Sequence, residues 1–190
     1  LCRSRLRPGG IYVHKLHPHM LTTKGYQRVL ATFLQVFPHS SMWKSQVGSI
    51  IFLFGWNGKH QADFRTFVRY ASLDMTEPHQ AAGLFLLDAS AMKEMAGEAE
   101  VLIDDLPARL GETLTLIDTG SDFLTDKPIN KPDSDHQLAI GTTIFNHLQA
   151  PSRYFTGLTA GDTKKILKER QEKLILLPRQ EKPAPVTDRG

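Results

Sequence analysis

Apolar and polar positions alternate and repeat along the first third of the chain in a way that predicts strand, helix, strand, strand. Leu1 to Arg7 resembles the last turns of a helix, stopped by Pro8-Gly9-Gly10, a turn that small or φ-restricted residues make comfortably. Ile11 to Leu16 then reads as a strand with Ile11 and Val13 apolar. Thr22 or Thr23 caps a helix whose apolar positions, Tyr26, Val29, Leu30, Phe33, Leu34 and Phe37, recur at three- and four-residue spacing, and Pro38 ends it. Ser41 to Lys44 is a short strand. Ser49 to Trp56 is a second, apolar on both faces and hence interior, with Asn57-Gly58 turning out of it. This order is the one that closes a doubly wound α/β sheet. It predicts the carboxyl-terminal half of a nucleotide-binding domain whose opening half, with its cofactor loop, lies outside this sequence. The Ile11 to Leu16 strand would then lack its parallel neighbour and present an unpaired apolar edge, which a longer chain, the Thr113 to Ile117 segment or a second copy would cover.

Farther on the pattern is mostly helical. Helices are expected over 62–70, with Phe64, Phe67 and Val68 inward, over 80–87, and over 89–96 with Gly97 at the end. A loop follows around Asp104-Asp105 and Pro107, then a strand at Thr113 to Ile117. Residues 118–135 are dense in Asp, Gly, Pro, Lys and Ser and read as loop or linker, and 143–148 as a weak helical or extended piece. Asp162 starts a better helix, with Ile166, Leu167, Arg170, Leu174 and Ile175 on or beside one face. The expected organisation is an α/β portion over 1–58, a mostly helical extension over 59–117, a loop-rich segment with an amphipathic helix over 118–177, and a disordered tail over 178–190.

Composition narrows the class. Hydrophobic residues make up 41% and charged residues 23%, the balance of a globular chain rather than a disordered one. Net charge is +3 with both signs interspersed, and no arginine-rich block or basic–aromatic alternation points to nucleic acid. The single cysteine, Cys2, excludes an intrachain disulfide and a cysteine-cluster metal site. The longest apolar run, Ser49 to Trp56, is far short of the roughly 20 residues needed to span a bilayer. Nothing reads as a secretory signal, and a cytoplasmic location is expected, with any membrane attachment through segments not present here. The first residue, Leu1, is compatible with a fragment or a processed chain.

Leu6-Arg7-Pro8-Gly9-Gly10-Ile11, then Thr32-Phe33-Leu34-Gln35-Val36-Phe37-Pro38-His39, then Trp43, then the apolar strand ending at Gly55 resemble the spermidine synthase-like family. The branch it is most similar to is the bacterial one whose members are often fused to membrane segments. Leu86-Leu87-Asp88 through Ala99 to Pro107 resembles that branch's "TDDrP" segment and the helix before it, with Ile103 where threonine is usual. The resemblance covers about Leu1 to Glu112 and stops there. It implies the Rossmann-like fold of S-adenosylmethionine-dependent methyltransferases. It also implies aminopropyl transfer from decarboxylated S-adenosylmethionine, as co-substrate, to a diamine such as putrescine. An acidic side chain takes a proton from the amine, whose nitrogen bonds to the carbon next to the sulfonium as the carbon–sulfur bond breaks. The family's glycine-rich loop, ribose-binding acid and catalytic aspartate lie upstream of the counterpart of Leu1. No catalytic residue and no bound cofactor are therefore assigned to this chain.

Candidate substrate-binding residues are His14, His19, Asp104 and Asp105. His14, His17 and His19 follow the first strand, where ligands bind in such sheets, and are read as a pocket lining, a zinc site or a solvated loop. In the family, glutamine often stands at the position of His14 and tyrosine at that of His19. Asp104 and Asp105 suit a cationic amine or a turn. Trp43 and Trp56, with Phe52 and Phe54, suit the sheet core better than adenine stacking. No nucleophile-elbow or cysteine motif is present, and no metal is assigned. Two readings remain open. One is the carboxyl-terminal part of an aminopropyltransferase-like enzyme, inactive alone. The other is a non-catalytic binding or assembly module, with self-association through the open sheet edge.

Overall fold

The computed structural model describes residues 2–18, 21–46, 50–58, 60–71, 77–102 and 134–174. Its elements are α1 (Cys2–Arg5), β1 (Ile11–Leu16), α2 (Thr23–Val36), β2 (Ser40–Lys44), β3 (Ile51–Trp56), β4 (Ala62–Asp63), α3 (Phe64–Ala71), α4 (Pro78–Gly83), β5 (Phe85–Asp88), α5 (Ala89–Ala96), α6 (Ser134–Asn146), β6 (Phe155–Thr156) and α7 (Ala160–Leu174). The architecture is mixed α/β: a four-stranded sheet in the order β1-β3-β2-β5 with helices on it, and a two-stranded parallel pair, β4 with β6.

Every neighbouring pair in the larger sheet is antiparallel. Because β3 lies between β1 and β2 and opposes both, β1 and β2 run in the same direction, joined by α2 as a crossover. Local chemistry sets the bounds of α2. The Thr22 hydroxyl accepts the Gly25 N–H at 2.9 Å at its start, and Pro38 follows the helix end. The helix lays Tyr26, Leu30 and Phe33 on the sheet, with Phe37 stacked 5.2 Å from Tyr12. Gly55 is required on β3 because an added Cβ would sit 2.4 Å from the Phe37 ring.

Leu30, Met42, Leu53, Leu86, Leu87, Met92 and Ile140 form the main core on the α2, α5 and α6 side. Among the described residues, the opposite face of the sheet is covered at one end only. There Trp43 meets Phe85, Tyr154 and Phe155, and a second cluster of Phe64, Ala82, Phe155 and Ile166 continues outward under α7. At the other end Ile11 and Val13 are 50% and 47% exposed, while Phe52 and Phe54 beside them are half-buried.

The sequence expectations for β1, α2, β2, β3 and α5 agree with these elements to within two residues. The expected helix over 80–87 does not hold: α4 stops at Gly83, and Phe85–Asp88 is a strand paired with β2. Phe85, Leu86 and Leu87 are all buried, so this run has no polar side to reveal its period, and a fully buried short run fits either element. The sheet thus extends beyond residue 58, with its fourth strand at 85–88. Two helices in the last third begin earlier than expected, at Ser134 and Ala160, and Leu167 is exposed rather than part of the inner stripe. The start at Ala160 reflects a reciprocal cap, in which Asp162 Oδ2 accepts the Thr159 N–H at 3.0 Å and Thr159 Oγ1 accepts the Asp162 N–H at 3.1 Å. The segment around Thr113 to Ile117 and the tail from Pro178 lie outside the described residues.

Candidate functional site

Strand alternation decides where His14 points. It shares a face with Tyr12 and Leu16, so its ring lies under α2, 6.5 Å from Tyr12 and 6.4 Å from Phe33. Burial lowers its pKa and keeps the imidazole neutral near pH 7. The trio expected after the first strand is therefore split: His14 belongs to the aromatic row beneath α2 and His17 follows the strand. His19, Asp104 and Asp105 lie outside the described residues. The chain leading to the aspartates is anchored on α2, where Leu102 N–H donates to Thr32 Oγ1 at 2.8 Å.

A groove of about 710 Å³ opens at the amino end of α2, against the carboxyl end of α5. Since α2 follows β1 directly, this is the carboxyl-end side of β1, where ligands enter α/β sheets. Lys24, Gln27 and Arg28 line one wall, and Gly97, Glu98 and Glu100 the other. Arg28 is 3% exposed and its Nη2 lies 3.6 Å from Glu100 Oε2. Gln27 reaches across to Met95 O at 3.4 Å. Both signs of charge around one space suit a polar, charged ligand. Sequence reasoning missed Lys24, Arg28, Glu98 and Glu100, although a cap at Thr22 followed by two cations on one helix turn was a readable signal.

A second polar cluster ties α4 to α7. His79 Nδ1 lies 2.8 Å from Glu77 Oε1 and its Nε2 3.0 Å from Asp162 Oδ1. Burial opposes the charged imidazole, but the bonds to Asp162 and Glu77 outweigh it and raise the pKa. Asp162 is correspondingly lowered to about 2, first by the Thr159 hydroxyl and then by His79. Among the described residues no group of three or more His, Cys, Asp or Glu could hold a metal ion.

Trp43 and Trp56 sit where the core reading puts them. Trp43 donates to Ser41 Oγ at 2.7 Å and packs edge-on against Tyr154 at 4.9 Å; Trp56 is buried, stacked 4.7 Å from His60. The charge distribution corrects the expectation of interspersed signs. The first carboxylate of the sequence is Asp63, so the eight cations Arg3, Arg5, Arg7, Lys15, Lys24, Arg28, Lys44 and Lys59 precede any acid. Among the described residues no helix is long and apolar enough to cross a membrane. Compared with protein-family models, curated proteins and solved structures, the chain matches none.

Proposed function

We propose that this chain is the carboxyl-terminal part of a spermidine synthase-like transferase that moves an aminopropyl group from decarboxylated S-adenosylmethionine to a diamine. The observation that carries the reading is β3 inserted antiparallel between two co-directional strands that α2 joins, the arrangement expected where a doubly wound domain of this class closes. The ordered motifs from Leu6 to Gly55 supply the choice of family. The groove at the amino end of α2 fits as the edge of a substrate site, because Glu98 on its wall offers a carboxylate to a cationic amine. His14, His19, Asp104 and Asp105 are proposed as further contacts. Neutral His14 does not repel an ammonium, which makes it compatible with a diamine. The proton-accepting aspartate and the nucleoside site belong to the upstream half. The chain alone is therefore inactive, and the fold would be completed in the cytoplasm or beside a membrane anchor carried elsewhere.

The test is a thermal-shift assay with S-adenosylmethionine, its decarboxylated analogue and methylthioadenosine on the protein that includes the upstream sequence. Stabilisation by the decarboxylated analogue and methylthioadenosine, with aminopropyl product from putrescine by mass spectrometry, is the expected result. No shift with any of the three removes the transferase reading and leaves a non-catalytic binding or assembly module. One observation favours that second reading: the exposed Ile11 and Val13 at the edge of the sheet.

A further inference from the structure

One wall of the groove at the amino end of α2 carries two cations on a single helix face. Lys24 and Arg28 stand four residues apart, one above the other, and both line the space. Like charges at this spacing repel each other, and Arg28 is buried as well. The opposite wall answers them in part. Gly97, at a φ of 58°, ends α5, and the chain then runs along α2. Glu100 meets Arg28, with 3.6 Å between Oε2 and Nη2, and Leu102 meets Thr32. Two residues of extended chain span about 6.6 Å and four residues of helix about 6 Å, so the two walls stay in step. Continued backward, the same register sets Glu98 level with Lys24.

The groove therefore has cations on one wall and a carboxylate across from them, and Gln27 bridges the walls by donating to Met95 O at 3.4 Å. Such a lining discriminates by charge pattern. A plain diamine brings its second ammonium against Lys24 and Arg28. A dicarboxylate brings one end against Glu98. A ligand with both signs meets a complement at each wall, and its carboxylate also relieves the repulsion between Lys24 and Arg28.

We propose that this groove binds a diamine that also carries a carboxylate, a diamino acid, in preference to a plain diamine. The carboxylate faces Lys24 and Arg28, one ammonium faces Glu98, and the second amine is left unengaged. The ligand class is read from the groove itself; only the role of that ligand as aminopropyl acceptor rests on the transferase reading. Binding to residues 1–190 and the nucleoside-induced thermal shift succeed or fail separately.

The experiment titrates the full chain with L-ornithine, putrescine, glutarate and inorganic phosphate and follows the backbone amide resonances by NMR. Ornithine and putrescine differ by one carboxylate, so their comparison isolates the wall of Lys24 and Arg28. Saturable shifts centred on Thr23, Gln27, Gly97 and Glu98 are expected with ornithine, at an affinity about tenfold or more above those of putrescine and glutarate. Lys24→Gln should abolish the preference for ornithine over putrescine. Glu98→Gln should weaken ornithine about tenfold and leave glutarate no weaker, whereas Lys164→Gln on α7 should bind as the parent does. The altered side chains are exposed, so an unchanged circular-dichroism melt certifies the fold, and the comparison of the four ligands stands without any variant. The proposal is overturned if ornithine does not bind, or if putrescine, glutarate or phosphate binds as tightly. It is also overturned if Lys24→Gln keeps the preference for ornithine, or if the shifts map away from the groove.

Discussion

The sealed edge at β5 and the edge at β1, unpaired among the described residues, belong to one sheet, yet they are built in opposite ways. β5 is held from outside by three layers. Gln149 pairs with its backbone, Arg170 donates to the Gln149 carbonyl while its guanidinium lies 5.8 Å over the Phe85 ring, and α7 packs on α4 through Ile166 and Gly83. Among the described residues the Nε and Nη2 of Arg170 are buried without a hydrogen-bond partner, and burial lowers its pKa to about 10. A buried cation satisfied at one nitrogen only is costly, so the surrounding aromatic packing must more than offset it. β1 has an elaborate inner face, the Tyr12, Phe33 and Phe37 row, and an outer face with exposed apolar side chains. The difference teaches that, among the described residues, cover is built locally at the β5 edge, while the outer face of β1 keeps Ile11 and Val13 exposed.

The largest expected effect separates the two edges by stability. Leu87 on β5 is fully buried, and Leu87→Ala should cost about 2–5 kcal/mol in urea unfolding, since it removes apolar contact and leaves a cavity. A loss below about 1 kcal/mol would mean that β5 is not integral to the sheet. Next comes the seal itself. Gln149→Ala removes the acceptor for the Asp88 N–H, and leaving a part-buried donor unpaired costs about 1–3 kcal/mol. Hydrogen exchange at the Asp88 amide should accelerate in that variant and stay unchanged at the Met42 amide; equal acceleration at both would show global loosening rather than an opened edge.

How much of this contrast was legible beforehand depends on which residues carry it. Capping and breaking residues act locally, so Thr22, Pro38, Asn57 and Gly97 marked their element ends in the sequence. The exposed face of β1 was also readable, because alternation along Ile11 to Leu16 puts Ile11, Val13 and Lys15 on one side. β5 was not, because its neighbours on both faces, Trp43, Tyr154 and the α5 side chains, arrive from distant segments and hide any period. The candidate site fared similarly. His14 was identified as a residue, but its placement beneath α2 depends on Phe33, about three helix turns beyond the Thr22 cap. The groove walls at Arg28 and Glu100 lie far apart in sequence and meet only through the packing of α2 on α5.

A smaller effect probes the outermost support of the β5 edge through pH. His79 has a raised pKa in the fold, so its contribution is fully present below its unfolded value of 6.5 and is lost as pH rises through the folded value. Glu77 and Asp162 are lowered, so theirs are present above their unfolded values of 4.5 and 3.8 and are lost as pH falls through the folded ones. The clamp between α4 and α7 is therefore strongest between the two ranges. His79→Gln should lower Tm most at about pH 5.5 and least above about pH 8. A pH-independent difference would assign His79 a packing role only.

The smallest effect is expected at the open edge, where a null result is informative. Val13 is 47% exposed on the outer face of β1, and Val13→Thr keeps the β-branched shape that suits a strand. Surface changes of this kind fall within about 0.5 kcal/mol, so the urea midpoint of the isolated chain should not move measurably. Self-association is the more sensitive readout, because an uncovered apolar edge recruits whatever strand is available. Val13→Thr together with Ile11→Thr should raise the concentration at which the chain begins to self-associate, without changing its melting curve. If instead the double variant destabilises the monomer by more than about 2 kcal/mol, these side chains are packed in solution and the β1 edge is already covered by the chain itself.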